Sequence, residues 1–594
     1  MKSFLKYTLA TIVGFFIVML LSILILGGIV TAILASTDKK EVIIEDNSIL
    51  QIELDEAIVD RQPNDPLQGF EIPLLPSTKK LGLDNIIASI ENAKDDENIK
   101  GIYLKLEEVG AGYSACEEIR NALMDFKDSE KFIYAYSEAY SQKAYYLATT
   151  ADKIYINPQG MLMFTGIASQ SLYYKKALEK LGVEMQVIRH GKFKAAVEPF
   201  LLEKMSPENK EQINSYIGSI WANVLEGISE SRNITIPRLN EIADQNMLYR
   251  PAETLLTNNL VDGLMYEDQV LDILKEKAGI AKDDKIPFVS LADVKSAAKK
   301  AGGKEFTKNK IAVIYASGEI GMEPSSSITE ESICGPKLAA TIREAREDST
   351  IKAIVLRVNS PGGSSLASEL IWREVKLTTE KKPVVVSMGD LAASGGYYIA
   401  CAADTIIANP TTLTGSIGVF GLIPNLDGLL SGKIGINSET VKTNKLSDMA
   451  SLYRPMSDEE MMIMQSMVED VYTTFVNHVS EGRGLTYAQV DEIGQGRVWT
   501  GESALKLGLV DILGNLNDAI EVAKELGGLD EYRIVKLPKQ AAALQQIMND
   551  FSSKMKMNII EEELGDAAKY YNTIKNLHGK NGIYARVPFE FELN

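Results

Sequence analysis

Tyr397–Pro410 reads YYIACAADTIIANP, and Tyr145–Pro158 reads YYLATTADKIYINP. The two stretches lie 252 residues apart (397 − 145 = 252). A second pair keeps that register: IKGIYLKLEEVGAG begins at Ile99 and IKAIVLRVNSPGGS at Ile351 (351 − 99 = 252). Further on, LVDGL at Leu260 is echoed by LVDIL at Leu509. Two long matches in one register mark a duplicated domain rather than a short-period solenoid. Within each copy the pattern begins with an amphipathic helix (LDNIIASIENAKDDENI in the first) and a strand (KGIYLKL). A helix, a second strand (KFIYAYS, KPVVVSMG), a buried helix and a third short strand (DKIYINP, DTIIANP) follow. Strands alternating with helices call for parallel pairing and right-handed crossovers. We therefore expect two α/β domains with parallel sheets, at 46–290 and 309–535. The Lys/Ala/Gly-rich link 291–308 is expected to be exposed. An extension, 536–594, carries a Met- and Gln-rich helical pattern.

A chain of 594 residues is too long for one core, which agrees with the duplication. Its composition, 45% hydrophobic and 24% charged, is that of a globular protein. The net charge of −19 with no basic stripe excludes a nucleic-acid partner. Cys116, Cys334 and Cys401 are far apart, with no CxxC and no histidine at ligand spacing. No zinc or other metal site is expected from that pattern, and Cys401, inside an apolar run, reads as packing. From Tyr7 to Ser36 there is no charge. That exceeds the ~20 residues needed to cross a bilayer and the ~7–15 of a cleavable signal's apolar region. Residues 1–45 thus read as a transmembrane anchor, set in membrane lipid through residues 7–36. Small residues from Ala32 to Ser36 leave cleavage open. Lys2, Lys6 and the α-amine favour a cytoplasmic N-terminus and a body on the other side.

The duplication also locates the chemistry. Ser394, in MGDLAASGGYYIA, falls opposite Gln142, Gly395 opposite Lys143 and Gly396 opposite Ala144. Asn359-Ser360-Pro361-Gly362-Gly363 falls opposite Glu107-Glu108-Val109-Gly110-Ala111. The second copy therefore has a serine among glycines and a Pro-Gly-Gly turn that the first copy lacks. Glycine permits close backbone approach, and paired N–H groups aimed at a carbonyl oxygen form an oxyanion hole worth about 3–4 kcal/mol per donor. Either motif alone is an ordinary turn. Together, after parallel strands, they point to acyl transfer by Ser394.

A serine nucleophile needs a base. The chain has only His190, His478 and His578, none of them near either turn. Asp390, taken as exposed, is too weak a base. Lysine can serve if burial keeps it neutral by lowering its pKa from ~10.4, and serine–lysine pairs are a known variant of the triad. Many lysines are available. The stretch RHGKFKAAVEPF, Arg189–Phe200, places Lys194 at the head of a small, apolar run suited to a desolvated amine. His190 is its competitor.

At GKFKAAVEPF, NSPGGS, MGDLAASGGYYIA and TGSIGV the chain resembles the signal peptide peptidase A (protease IV) family in its long, duplicated bacterial form. The resemblance implies a Clp-protease/crotonase-like fold of ββα units and a bowl-shaped homotetramer at the bacterial inner (cytoplasmic) membrane, with the catalytic body on the external side. It implies hydrolysis of peptide substrates, signal peptides left in the membrane, without a cofactor. It maps the nucleophile onto Ser394, the general base onto Lys194, a lysine-orienting serine onto Ser416, and the oxyanion and substrate-binding backbone onto Gly362, Gly363 and Gly395. Two other classes stay open. A crotonase-like enzyme acting on a CoA thioester would use carboxylate bases and bind a nucleotide, and an external location argues against it. An inactive membrane scaffold would not need an intact serine, lysine and glycine set.

Overall fold

The computed structural model describes residues 6–8, 10–21, 28, 43–63, 79–301, 307–324, 331–540 and 583–586. Two sheets carry the duplication. The first has, in spatial order, strands Gly263–Leu264, Lys153–Leu162, Phe132–Tyr140, Ile99–Lys105, Ser48–Ile52 and Phe288–Val289. All of its pairings are parallel. The second runs Val498–Thr500, Leu413–Gly415, Val384–Ala393, Ile351–Ser360, Lys310–Ser317 and Arg533–Leu537, with Thr405–Ala408 and Ile512–Leu513 branching from Val384–Ala393. It is parallel except where Leu413–Gly415 meets Val498–Thr500. Val384–Val386 and Ile354–Val358 are buried, as parallel strands covered by helices on both faces must be.

The 252-residue offset persists in three dimensions. Helices begin at Leu83 and Gly335 and at Tyr113 and Ser365, and strands at Phe132 and Val384. Two details of the expected pattern change. Strands Ser48–Ile52 and Lys310–Ser317 precede the helix expected to open each copy. Their SILQI and KIAVIYAS are short apolar runs whose period does not separate strand from helix, so pairing partners decide them. The expected exposed link 291–308 begins instead with helix Leu291–Ala301. That helix buries Val294, and Leu291 accepts the Ser89 hydroxyl at 2.9 Å.

A third, mixed sheet joins the halves. Its order is Ser332–Cys334, Glu319–Gly321, Gly362–Ser364, Ile583–Arg586, Val419–Asn425 and Glu184–His190. Glu184–His190, from the first half, lies antiparallel on Val419–Asn425 over its full length, from His190 opposite Val419 to Glu184 opposite Asn425. Of the extension 536–594, residues 541–582 and 587–594 lie outside the described set. Ile583–Arg586 pairs antiparallel with both Gly362–Ser364 and Phe420–Gly421.

The expected anchor, residues 7–36, lies largely outside the described residues. Its described residues, 7–8, 10–21 and 28, are helical, and Ile12, Val13, Phe15, Phe16 and Leu20 among them are exposed. Among the described residues no helix is long and apolar enough to cross a membrane.

The halves are also tied by a buried charge cluster. Arg357, 1% exposed, lies in the middle of Ile351–Ser360. Its Nε donates to Asp60 at 2.7 Å and its Nη2 pairs with Glu118 at 2.8 Å, both carboxylates from the first half. Its Nη1 donates to Ser387 Oγ at 2.9 Å and to the Met388 carbonyl at 3.3 Å, on the neighbouring strand. Burial pushes the Glu118 carboxyl up, and Arg357 opposes that push. Removing one partner of such a group leaves uncompensated buried charge, at a cost of about 3–5 kcal/mol. Arg357→Ala is therefore expected to lose that much in urea unfolding. A loss below about 1 kcal/mol would show that the cluster does not join the halves energetically.

Candidate active site

Val384–Ala393 delivers Ser394 to the junction of the two halves. Ser394 is fully buried and held at φ +56, ψ −115, a region that non-glycine residues rarely adopt. Its N–H donates to the Gly415 carbonyl at 2.8 Å, and its carbonyl accepts the Tyr398 N–H at 2.8 Å as helix Gly395–Ala400 begins. The second glycine that follows, Gly396, is a steric necessity. A Cβ on Gly396 would stand 2.6 Å from the Ser360 carbonyl oxygen. The Ala-Ser-Gly-Gly spacing thus serves a strained strand-to-helix turn that presses against the end of strand Ile351–Ser360.

Lys194 arrives from the other half. Strand Glu184–His190 ends at Gly191, φ +100, and Lys194 precedes the 3-10 turn Ala195–Val197. The side chain is fully buried. Nζ lies 2.8 Å from Ser394 Oγ, 3.2 Å from Ser416 Oγ and 3.3 Å from the Ser416 carbonyl oxygen. Burial alone holds the amine's pKa well below its ordinary value. These contacts match the capacity of a neutral amine. Two N–H groups face Ser416, and one lone pair remains for the Ser394 hydroxyl. Ser416, also buried and at φ +51, donates its hydroxyl to the Gly496 carbonyl at 3.2 Å and its N–H to the Arg497 carbonyl at 2.7 Å. Gly418 and Gly496 let backbone close over the lysine. Cβ atoms there would lie 3.2 Å from its Cδ and 2.7 Å from its Cβ.

The structure thus brings Ser394, Lys194 and Ser416 into direct contact. The glycines divide. The Gly363 backbone closes on Ile320, whose carbonyl a Cβ would meet at 2.0 Å. Gly362 is less available than its motif suggests, because its N–H already donates to Ser360 Oγ at 3.2 Å. Gly395 opens the helix after Ser394, where backbone N–H groups lack intrahelical partners. Asp390 is half-buried rather than exposed, and it accepts the Ala115 N–H at 3.1 Å across the halves. Burial raises its carboxyl. His190 is engaged elsewhere, with Nδ1 2.6 Å from Glu469 and its ring stacked on Tyr472. His478 stacks on Trp372 and meets Glu369 at 3.0 Å, and His578 lies outside the described residues. Cys116 and Cys401 are buried thiols, each pushed up to about 12 by burial. No metal-binding cluster exists among the described residues.

The equivalent position in the first copy is closed. Gln142 donates to the Tyr113 hydroxyl at 2.9 Å and accepts the Thr165 and Gly166 N–H groups at 3.2 and 3.0 Å. Its amide fills the place that Ser394 takes in the second copy. The segment Gln495–Arg497 and the cluster Asp60–Glu118–Arg357 are not evident from sequence. The only trace of the former is the pair of glycines in IGQGR, which resembles any loop.

The model for peptidase family S49 matches residues 125–281 and again 376–530, one match in each half. A protease 4 from Salmonella typhi is 40% identical over 81% of this chain and 77% of its own length. A protease 4 from Haemophilus influenzae is 35% identical over 85% of this chain and 80% of its own. A chloroplastic serine protease SPPA from Arabidopsis thaliana is 33% identical over 80% and 70% respectively. Among solved structures, a ClpP1 chain from Listeria monocytogenes covers 35% of this chain and 94% of its own, at 16% identity and a TM-score of 0.24.

The buried amine has a measurable consequence. With the folded-state pKa of Lys194 depressed, the unfolded chain binds a proton that the folded protein lacks at every pH between that value and ~10.4. Stability therefore rises with pH across the window, and the lysine's cost is largest below it. Lys194→Met, of similar shape and without the amine, is expected to be more stable than the wild type at pH 7. The gap should narrow as pH climbs toward 10, read by urea unfolding. A gap that does not change with pH would mean that the amine is charged in the folded protein.

Proposed function

The chain belongs to peptidase family S49, and on that premise we propose that it is a membrane-anchored endopeptidase whose Ser394–Lys194 dyad degrades cleaved signal peptides and other hydrophobic peptides. That it is a serine protease follows from its family and its protease 4 relatives. The observation carrying the dyad is the 2.8 Å approach of a desolvated Lys194 amine to the Ser394 hydroxyl.

The reaction follows from that contact. Lys194 Nζ accepts the Ser394 proton as Oγ attacks a peptide carbonyl carbon. The oxygen of the tetrahedral intermediate takes hydrogen bonds from backbone at Gly363 and Gly395, with Gly362 joining once its N–H leaves Ser360. The new ammonium is steadied by the Ser416 carbonyl and hydroxyl, and it returns its proton to the leaving amine. Lys194, neutral again, deprotonates a water whose oxygen attacks the acyl carbon, and it returns that proton to Ser394 Oγ as the ester bond breaks and the acid leaves. No metal enters these steps.

The slot between Gly362–Ser364 and Val419–Asn425 suits an extended peptide. The chain's own Ile583–Arg586 already pairs antiparallel with backbone on both sides of it. Recognition by strand addition reads main chain before side chain, which fits a substrate class defined by apolar character rather than by one sequence. A relative from Enterococcus faecium, 34% identical over 39% of this chain, is described as a putative signal peptide peptidase. Residues 7–36 would anchor the body on the external side of a bacterial inner membrane, and the apolar residues exposed between 12 and 21 support that. Exposed Ile434, Ile436 and Val441 supply apolar surface for subunit contacts in a homotetramer. The Clp-protease/crotonase-like ββα repeat is the finer description of the two parallel sheets.

Ser394→Ala and Lys194→Ala are each expected to lower kcat for an apolar peptide by at least about 10³-fold with the fold retained by circular dichroism. Either variant hydrolysing at the wild-type rate would end the dyad. A fluorophosphonate probe should label wild-type protein at Ser394 by peptide mass mapping. Labelling at any other serine, with Ser394 unmodified, would reassign the nucleophile.

A further inference from the structure

Lys194 belongs to one half of the chain, and the pocket that keeps it dry is built by the other. The segment Gln495-Gly496-Arg497 lies across that junction. The Gln495 carbonyl accepts the Phe193 N–H at 2.9 Å. Gly191 lies so close that a Cβ on it would stand 2.5 Å from the Gln495 carbonyl carbon. Gly496 packs on Lys194 itself and accepts the Ser416 hydroxyl. The Arg497 carbonyl accepts the Ser416 N–H, and its guanidinium lies over the Phe193 ring, 4.7 Å from the centroid. One three-residue segment therefore touches the residue before the lysine, the lysine, and the serine that orients it.

That segment is wound in an unfavourable conformation. Gln495 has φ +53 and Gly496 φ +79, two left-handed residues in succession. A glycine tolerates this, but a glutamine must be held there. Its N–H and its Nε2 both lie 3.3 Å from the Tyr472 hydroxyl oxygen. Nε2 also donates to Asp491 Oδ1 at 2.6 Å, and the Tyr472 hydroxyl donates to the same oxygen at 2.6 Å. The face of Tyr472 stacks on His190 at 3.7 Å, and His190 is fixed by Glu469. The chain from His190 through Tyr472 to Gln495 thus runs from the strand that leads to Lys194, across the second half, and back to Lys194. Its titratable members are His190 on strand Glu184–His190, Glu469 and Tyr472 on helix Asp458–Arg483, Asp491 on helix Tyr487–Ile493, and Arg497 with its partner Glu211 at 2.9 Å. Among the described residues the Lys194 amine meets Ser394 and Ser416.

We infer that Gln495, clamped by Tyr472 and Asp491, is a positioning residue for Lys194: it latches the lysine-bearing loop of the first half into the second and keeps water from the amine. His190, no base in this geometry, is part of the same latch. The inference rests on the dyad proposed above. It gives a reason for a left-handed glutamine beside two glycines that the chemistry does not otherwise use.

The test is the pH dependence of kcat/KM for the full-length protein, with Gln495→Gly and Tyr472→Phe compared with the wild type and Lys194→Ala. Glycine accepts the left-handed backbone without strain, so Gln495→Gly removes the tether alone. Loss of the latch admits water and lets the amine regain its ordinary basicity. The expected result is an upward shift of about one pH unit or more in the ascending limb, about tenfold lower kcat near pH 7, recovery toward wild type at alkaline pH, and KM changed less than twofold. A purely structural role would lower activity at every pH and leave the limb in place, and that outcome overturns the inference. An unshifted profile in Gln495→Gly overturns it as well, even if Tyr472→Phe fails to fold. These outcomes stay distinct from failure of the dyad itself. If Lys194→Ala keeps wild-type activity, the dyad falls and the latch with it. If Lys194→Ala is inactive while Gln495→Gly is unshifted, only the latch falls.

Discussion

An amine inside a protein is useful as a base only while it is neutral, and the surroundings of Lys194 meet that requirement. Among the described residues no carboxylate pairs with the Lys194 Nζ, the side chain is fully buried, and two oxygens of Ser416 take its N–H groups. A nearby aspartate would have held it as an ammonium, and open water would have done the same. The pocket must therefore be assembled from backbone carbonyls, hydroxyls and glycine, and it must be closed on all sides. Closure explains why Gly418 and Gly496 lie so tightly on the side chain, and why the lysine is brought in on a strand that pairs along its length with the other half.

Duplication supplied the means. One copy carries the serine turn and its glycines, and the other presents a glutamine at the matching place, with its amide satisfied by Tyr113, Thr165 and Gly166. A buried polar group with all partners in place is stable structure, so this position of the first copy is closed and structural. It carries the lysine on an added strand, and its Asp60 and Glu118 neutralise Arg357 in the strand that leads to Gly362 and Gly363. Arg357 also reaches Ser387 and Met388 on the strand that leads to Ser394. One guanidinium thus links the two strands whose ends form the site, and the first half compensates its charge.

Backbone strain gathers at the same place. Ser394, Ser416 and Gln495 all adopt positive φ, and each is held by hydrogen bonds from a different element. Strained residues persist only where the surroundings over-determine them. The backbone of all three is held from within the second half, and the first half adds Lys194 against Ser394 and Ser416 and the Phe193 N–H against Gln495.

The amino-acid sequence by itself determined the duplication and the parallel α/β architecture, and it singled out Ser394 as the candidate nucleophile, because periodic apolar runs and a repeated register are local properties that survive without coordinates. It also made Lys194 the leading base, since histidine is scarce and RHGKFKAAV offers an apolar setting. What it could not carry were contacts between residues hundreds of positions apart. Strands Ser48–Ile52 and Lys310–Ser317 declared themselves only through their pairing partners. Asp390 proved half-buried because Gly112 and Ala115 of the other copy cover it, and the Gly362 amide proved engaged because Ser360 folds back on it. The roles of Gln495, Tyr472 and His190 were invisible, because stacking, left-handed backbone and a shared carboxylate leave no spacing in a sequence. Tertiary structure alone decided that the amine is dry, since burial belongs to the closed assembly of both halves and to no single segment.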